Sequence, residues 1–162
     1  MADVRTTWSP ETAPLRGDWL MDPPGLAADR DLETAVLLSL FTDASAAADD
    51  VIPDLTDDRR GWWGNWERPE TIPLGSRLWL LSREKSTEET RRRAEEYAAE
   101  ALQWLLDDGV AVRVDVGAEY LEAGSVPPAT LALQVAITRA DGTVFDRRYA
   151  WAWDQLIAEG LG

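Results

Sequence analysis

STEETRRRAEEYAAEALQWLLDDGVAVRVDVGAEY, residues 86–120, carries two periods end to end. Up to Gly109 the apolar residues recur at steps of three and four. Ala94, Tyr97, Ala98, Ala101, Leu102 and Leu105 line one stripe, the spacing of an α-helix. Ser86 and Glu89 stand as a capping box at its start, and Gly109 is placed to stop it. The spacing predicts a helix over 87–108. After Gly109 the period drops to two. Val110, Val112, Val114, Val116, Ala118 and Tyr120 fall on one face, and Arg113, Asp115 and Glu119 on the other, the pattern of a half-buried strand.

Downstream, GSVPPAT (124–130) reads as a loop, and Leu131, Leu133, Val135 and Ile137 mark a second alternating strand. Ala140-Asp141-Gly142 is a hairpin turn, since Asp-Gly tolerates positive φ. A third strand runs from 143 to about 153, with Phe145, Arg147, Tyr149, Trp151 and Trp153 on one face. Helices followed by an antiparallel three-stranded meander give an α+β fold, with the long helix packed on one sheet face. Residues 154–162 read as a short tail.

Upstream, the run AVLLSLF lies in a predicted helix over 32–41 that is apolar nearly all round and so buried on more than one side. Residues 42–60 form a long loop, a type that tends to be functional or flexible. Pro73-Leu74-Gly75 is a turn, and an amphipathic helix is expected from Ser76. The first thirty residues, spotted with Pro10, Pro14, Pro23, Pro24 and Gly25, read as an irregular, extended arm anchored by Trp8 and Trp19. The expected organisation is an arm (1–30), one α+β domain (31–153) and the tail.

A length of 162 residues suits one ordinary domain. With no Cys and no His, the chain has no disulfides, thiol nucleophiles, Cys/His zinc sites or histidine bases. Thirty acids against 16 bases give a formal charge of -14, which disfavours nucleic acid and anionic membrane surfaces as partners. No apolar run reaches the ~18 residues of a membrane span, and the N-terminus lacks a secretory h-region. Paired carboxylates are the one catalytic option left. Asp49/Asp50, Asp57/Asp58, Asp107/Asp108 and Glu119/Glu122 are candidates, but adjacent acids arise by chance in so acidic a chain. None lies in an apolar setting that raises the pKa of a general acid. DDVIPDLTDD lacks the spacing and the Gly of a calcium loop. No enzyme activity, cofactor or metal is therefore expected.

The aromatic residues are more informative, with nine Trp against three Tyr and two Phe. Arg59-Arg60-Gly61-Trp62-Trp63-Gly64, with Trp66 close behind, joins the two residue types most enriched at interface hot spots. Either a partner covers these tryptophans, or all three tuck under the long loop. Tyr149, Trp151 and Trp153 share a strand face. If that strand is an edge, it offers backbone pairing and aromatic contacts together; otherwise they complete the core.

Four separated segments resemble the Mu-type phage tail baseplate protein family: LETAVLLSLFTD (32–43), DDRRGWWG (57–64), GSRLWLLSREK (75–85) and EEYAAEALQWLLDDGVAVRVDV (95–116). The resemblance spans roughly residues 30–150. That family is similar in turn to the sheath-initiator wedge proteins of contractile tails, a group once labelled lysozyme-like. The resemblance implies a structural part of the virion baseplate, made in the host cytoplasm and present at about six copies. Its implied partners are other baseplate wedge proteins, the tail sheath protein and the nearby tail tube. It implies a meander edge that nucleates the sheath and an interface made of Arg59, Arg60, Trp62, Trp63, Trp66, Tyr149, Trp151 and Trp153. The alternatives are a peptidoglycan-degrading hydrolase using paired carboxylates, or an acidic inhibitor or adaptor.

Overall fold

The computed structural model describes residues 6–9, 16–19, 21–22, 25–26, 31–67, 73–121 and 130–151. In chain order these form β1 (Thr6–Ser9), β2 (Arg16–Trp19), β3 (Met21–Asp22), β4 (Gly25–Leu26), α1 (Asp31–Phe41), α2 (Gly64–Glu67), a 3-10 turn (Leu78–Leu81), α3 (Glu88–Leu102), α4 (Trp104–Asp107), β5 (Arg113–Tyr120), β6 (Leu131–Thr138) and β7 (Val144–Trp151).

The long helix forms as its stripe demands, with Ala94, Tyr97, Ala98 and Leu102 buried. Its cap lies one residue beyond the expected one. Thr87, in an extended conformation, accepts the Thr90 N–H at 3.2 Å. Thr90 is buried, so its hydroxyl needs a partner of its own and donates to Lys85 O at 2.8 Å. A buried N3 threonine thus takes the place of Glu89 in the expected box. Glu88 and Glu89 still sit in the first turn, where the helix dipole favours acids. The single helix expected over 87–108 is two segments. At Gln103 the bonding tightens to an i→i−3 step, Gln103 N–H to Glu100 O, before α4 resumes. Gly109, at φ +69°, then reverses the chain so that Ala111 N–H reaches Leu105 O.

The three-stranded sheet has the order β5-β6-β7, antiparallel throughout. Its registers run from Arg113↔Thr138 to Tyr120↔Leu131, and from Thr138↔Val144 to Leu131↔Trp151. Leu131, Leu133, Val135 and Ile137 of the central strand are all essentially buried. The β6–β7 hairpin closes at Gly142 (φ +82°), and the Asp141 carboxylate accepts both the N–H and the hydroxyl of Thr143. Those bonds hold the Asp141 carboxyl below its ordinary pKa. The core lies between α3 and α4, the sheet, α1 (Val36, Leu37, Leu40) and the 3-10 turn.

Three further expectations change. The segment from Ser76 is a single 3-10 turn with Leu78, Trp79, Leu80 and Leu81 all buried. Leu-Trp-Leu-Leu has no polar face to give to water, so an amphipathic helix has nothing to stand on. Val110 and Val112 are exposed, and β5 begins only at Arg113. The alternation runs past the point where the helix covers it. In the first thirty residues, read as irregular, the backbone pairs in two short antiparallel ladders, Thr6↔Trp19 to Ser9↔Arg16 and Met21↔Leu26 with Asp22↔Gly25.

Tyr149, read from sequence as an interface residue, is core. It is 3% exposed, and its ring meets Phe41 edge-on at 5.8 Å. It lies on the odd-numbered face of β7, the face that α1 covers. Its hydroxyl is buried without a hydrogen-bond partner among the described residues. Burial pushes the phenol pKa well up, and the negative charge of Glu33 adds to the shift. The unfolded chain therefore releases this proton from about pH 10 upward while the folded chain keeps it. The stability that depends on it is complete below that pH and falls as pH rises through it. Tyr149→Phe removes an unpaired buried hydroxyl. It is expected to leave stability unchanged or raise it by up to about 1 kcal/mol at neutral pH and to make the alkaline decline shallower, as read by denaturant melts across alkaline pH.

Candidate interaction surfaces

The loop after α1 is fixed at both ends by bonds directed at its backbone. At its start, Asp43 and Ser76 make a parallel bridge, with Ala44 N–H to Ser76 O and Ser76 N–H to Thr42 O, both 2.9 Å. The Ser76 hydroxyl donates to Leu40 O at 2.5 Å, and the indole Nε1 of Trp79 donates to Ala44 O at 2.8 Å. Gly75 makes this approach possible. It has φ +116°, and a Cβ there would lie 2.7 Å from Thr42 O. In mid-loop, Arg77 pairs with Asp50 (3.2 Å) and Glu100 (2.7 Å) and lies over the Tyr97 ring, tying the loop to α3. Burial works against its charge, but its hydrogen bonds to Glu100 and Asp50 outweigh this and raise its pKa.

At the loop's end, Arg59 donates its guanidinium to Ala47 O and Ala48 O, while its own carbonyl accepts the Ala46 N–H. Arg60 pairs with Asp43 at 2.7 Å and lies 4.4 Å over the Trp79 ring. Both arginines, read from sequence as partner-gripping residues, already have intramolecular bonds that hold the loop closed. Arg60 (φ +51°) and Gly61 (φ +109°) turn the chain sharply outward. At Gly61 a Cβ would fall 2.0 Å from the Ser45 hydroxyl oxygen.

Trp62 and Trp63 emerge from that turn 38% and 66% exposed, with ring centroids 5.6 Å apart. They do not tuck under the loop. The Trp62 ring rests on Gly64, where a Cβ would lie 2.4 Å from it. Asn65 then clamps α2 to the far side of the segment by a two-way side-chain bond with Leu74. An exposed pair of large rings on a braced backbone loses little entropy when a partner covers it. Trp66 lies within α2, but its side chain, like that of Trp151, is outside the described residues, as is Trp153 altogether.

The sheet supplies the second surface. The Arg139 N–H to Thr143 O bond sets the phase of the β6–β7 ladder. Phe145, Arg147 and Tyr149 therefore turn their backbone groups toward β6, and Val144, Asp146 and Arg148 turn theirs away. Among the described residues β7 is a terminal strand. Arg148 pairs with Glu119 across the sheet, and Val144 is exposed.

The carboxylate pairs weighed from sequence have other partners or none in common. Asp50 is engaged by Arg77, Asp58 accepts the Arg60 N–H, Asp107 accepts from Gln103, and Glu122 is outside the described residues. No group of three or more acids among the described residues is arranged to hold a metal ion. Sequence reasoning missed the anchors Gly75, Ser76, Asn65 and Trp79. The Pro73-Leu74-Gly75 turn was the available signal, but the backbone it presses against, at Thr42 and Ala44, is remote in the chain.

The family model described as Phage protein GP46 matches residues 32–144. The chain belongs to this family. Among its relatives, "Baseplate protein gp46" of Escherichia phage Mu is 43% identical over 154 residues, covering 95% of this chain and 99% of that one. "Mu-like prophage FluMu protein gp46" of Haemophilus influenzae is 33% identical over 153 residues, covering 94% and 98%. The matched span takes in α1, the anchored loop, the Trp62–Trp63 turn, α3 and the first two strands of the sheet.

Two substitutions separate anchor from surface. Gly75→Ala, at positive φ and facing a backbone oxygen, is expected to cost more than about 2 kcal/mol in a thermal or denaturant melt. Trp63→Ser is expected to stay within about 0.5 kcal/mol of the parent.

Proposed function

We propose that this protein is a structural component of a phage tail baseplate that joins wedge subunits and nucleates the sheath by offering a sheet edge. The observation that carries the reading is the terminal position of β7, whose Val144, Asp146 and Arg148 backbone groups face outward. An extended segment of a sheath subunit adds there as a further antiparallel strand, with main-chain bonds supplying affinity. The baseplate name of the phage Mu relative, over nearly the full length of both chains, supports the setting.

The Trp62–Trp63 pair is the wedge-facing contact in this reading. Two indoles in tilted contact, held by a braced turn, are the type of anchor that fills a partner's pocket. The charge of -14 keeps free subunits apart before assembly and favours Arg- and Lys-bearing neighbours within it. About six copies, one per wedge, accord with the same reading.

The test uses tailed particles. Mass spectrometry scaled to the sheath subunit is expected to find near six copies per particle, and absence from particles overturns the proposal. Arg148→Pro removes an outward N–H and leaves the β6 ladder intact, whereas Arg147→Pro breaks the ladder. Arg148→Pro is expected to keep the circular dichroism spectrum and lose sheath assembly, and normal sheaths on that variant would rule out β7 as the acceptor edge. Trp62→Ala with Trp63→Ala is expected to fold and to drop out of baseplates.

A further inference from the structure

A three-stranded sheet has two edges; among the described residues no strand but β6 pairs with β7, whereas side chains occupy the edge at β5. The Leu121 N–H to Thr130 O bond sets the phase of the β5–β6 ladder. Gly117 and Glu119 turn their backbone groups toward β6, and Val116, Ala118 and Tyr120 turn theirs away. On an unprotected edge those groups invite another chain. At Ala118 they are taken. Its N–H donates to the Glu95 carboxylate at 2.9 Å, and its carbonyl accepts from the Arg91 guanidinium at 3.0 Å. Arg91 and Glu95 are themselves an ion pair one helical turn apart on α3. The three residues close a ring that copies, with side chains, the two-bond exchange a neighbouring strand would make. Glu88 grips the same guanidinium from the other side and fixes its direction. Two residues on, the Tyr120 hydroxyl donates to Thr87 O at 3.2 Å, pulling the end of the strand against the start of the helix.

We propose that Arg91 and Glu95 are specificity-determining residues for strand pairing: they plug the β5 edge against a second copy of this chain and leave β7 as the edge to which a partner's strand adds. A baseplate part that could pair through both edges would grow end to end into open filaments of itself, because a β5-to-β7 contact is heterologous and need not close. A plug made of charged side chains bonds to the backbone without offering a further edge. That β7 receives a partner rests on the function proposed above; the plug on β5 does not, and it is tested on the isolated protein.

Amide exchange resolved by residue in the full chain reads the plug without any substitution. Ala118 and Val116 point the same way, but Ala118 is bonded to Glu95. The Ala118 amide is expected to exchange roughly tenfold or more slowly than that of Val116, and equal rates overturn the proposal. In Glu95→Ala the Ala118 protection is expected to vanish, while Gly117 and Glu119, bonded to β6, keep theirs and report an intact sheet. Glu95→Gln, which retains an acceptor oxygen, is expected to restore part of it. Sedimentation velocity on Arg91→Ala with Glu95→Ala is expected to find concentration-dependent self-association where the parent is monomeric. A folded, monomeric double variant overturns the proposal. So does a parent that already self-associates through β5.

Discussion

A meander of three strands has one apolar face and two edges, and the rest of this molecule depends on how those are covered. Leu131, Leu133, Val135 and Ile137 of the central strand β6 give their backbone bonds to β7 and their side chains to a single layer of helices. Four large aliphatic side chains fully withdrawn from water contribute on the order of 1.5–3 kcal/mol each, so covering that face dominates the packing. The helix that does most of the covering, α3, lies along the β5 side of the sheet, which brings Arg91 and Glu95 within reach of the β5 backbone. Face and edge are thus closed by the same element. The asymmetry between β5 and β7 is a consequence of where that helix lies.

A second constraint governs the long loop. A stretch of that length without regular structure would ordinarily be mobile on the surface. Here Trp79, Arg59 and Arg77 direct their polar groups to loop carbonyls or loop acids, the Ser76 hydroxyl binds the last turn of α1 at Leu40 O, and Gly75 allows two backbones to meet where a Cβ would forbid it. Ala46 and Ile52 add small apolar plugs to the core. The outcome is a surface segment that is irregular in conformation but held at many points, from which Trp62 and Trp63 project. Backbone strain at Arg60 is tolerated because the ion pair with Asp43 and the contact with the Trp79 ring hold the turn.

The sequence made the elements legible where one period ran long enough to admit a single answer. The stripe from Ala94 to Leu105, the alternation of β6 and the Asp-Gly turn each named their element from local residues alone. Reading failed where the deciding neighbour was distant. Thr90 displaces the expected cap because tertiary packing buries it. Leu78–Leu81 tighten into a 3-10 turn because they are enclosed on every side. The carbonyl and carboxylate partners of Arg59 and Arg60, 11 to 17 residues away in the chain, could not be read from the local sequence.

The sequence by itself therefore determined the α+β order, the long helix, the antiparallel meander and the absence of thiol or histidine chemistry, because periodicity and composition are local properties. Family membership was legible there too, from short segments in a fixed order. Only the tertiary structure decided which aromatics are core and which are surface. It put Tyr149 against Phe41 and left Trp63 in solvent. Only it showed that side chains occupy the β5 edge, since β5 and β7 alternate alike in sequence. What separates them is a pair of side chains on α3, 23 and 27 residues from the backbone groups they occupy.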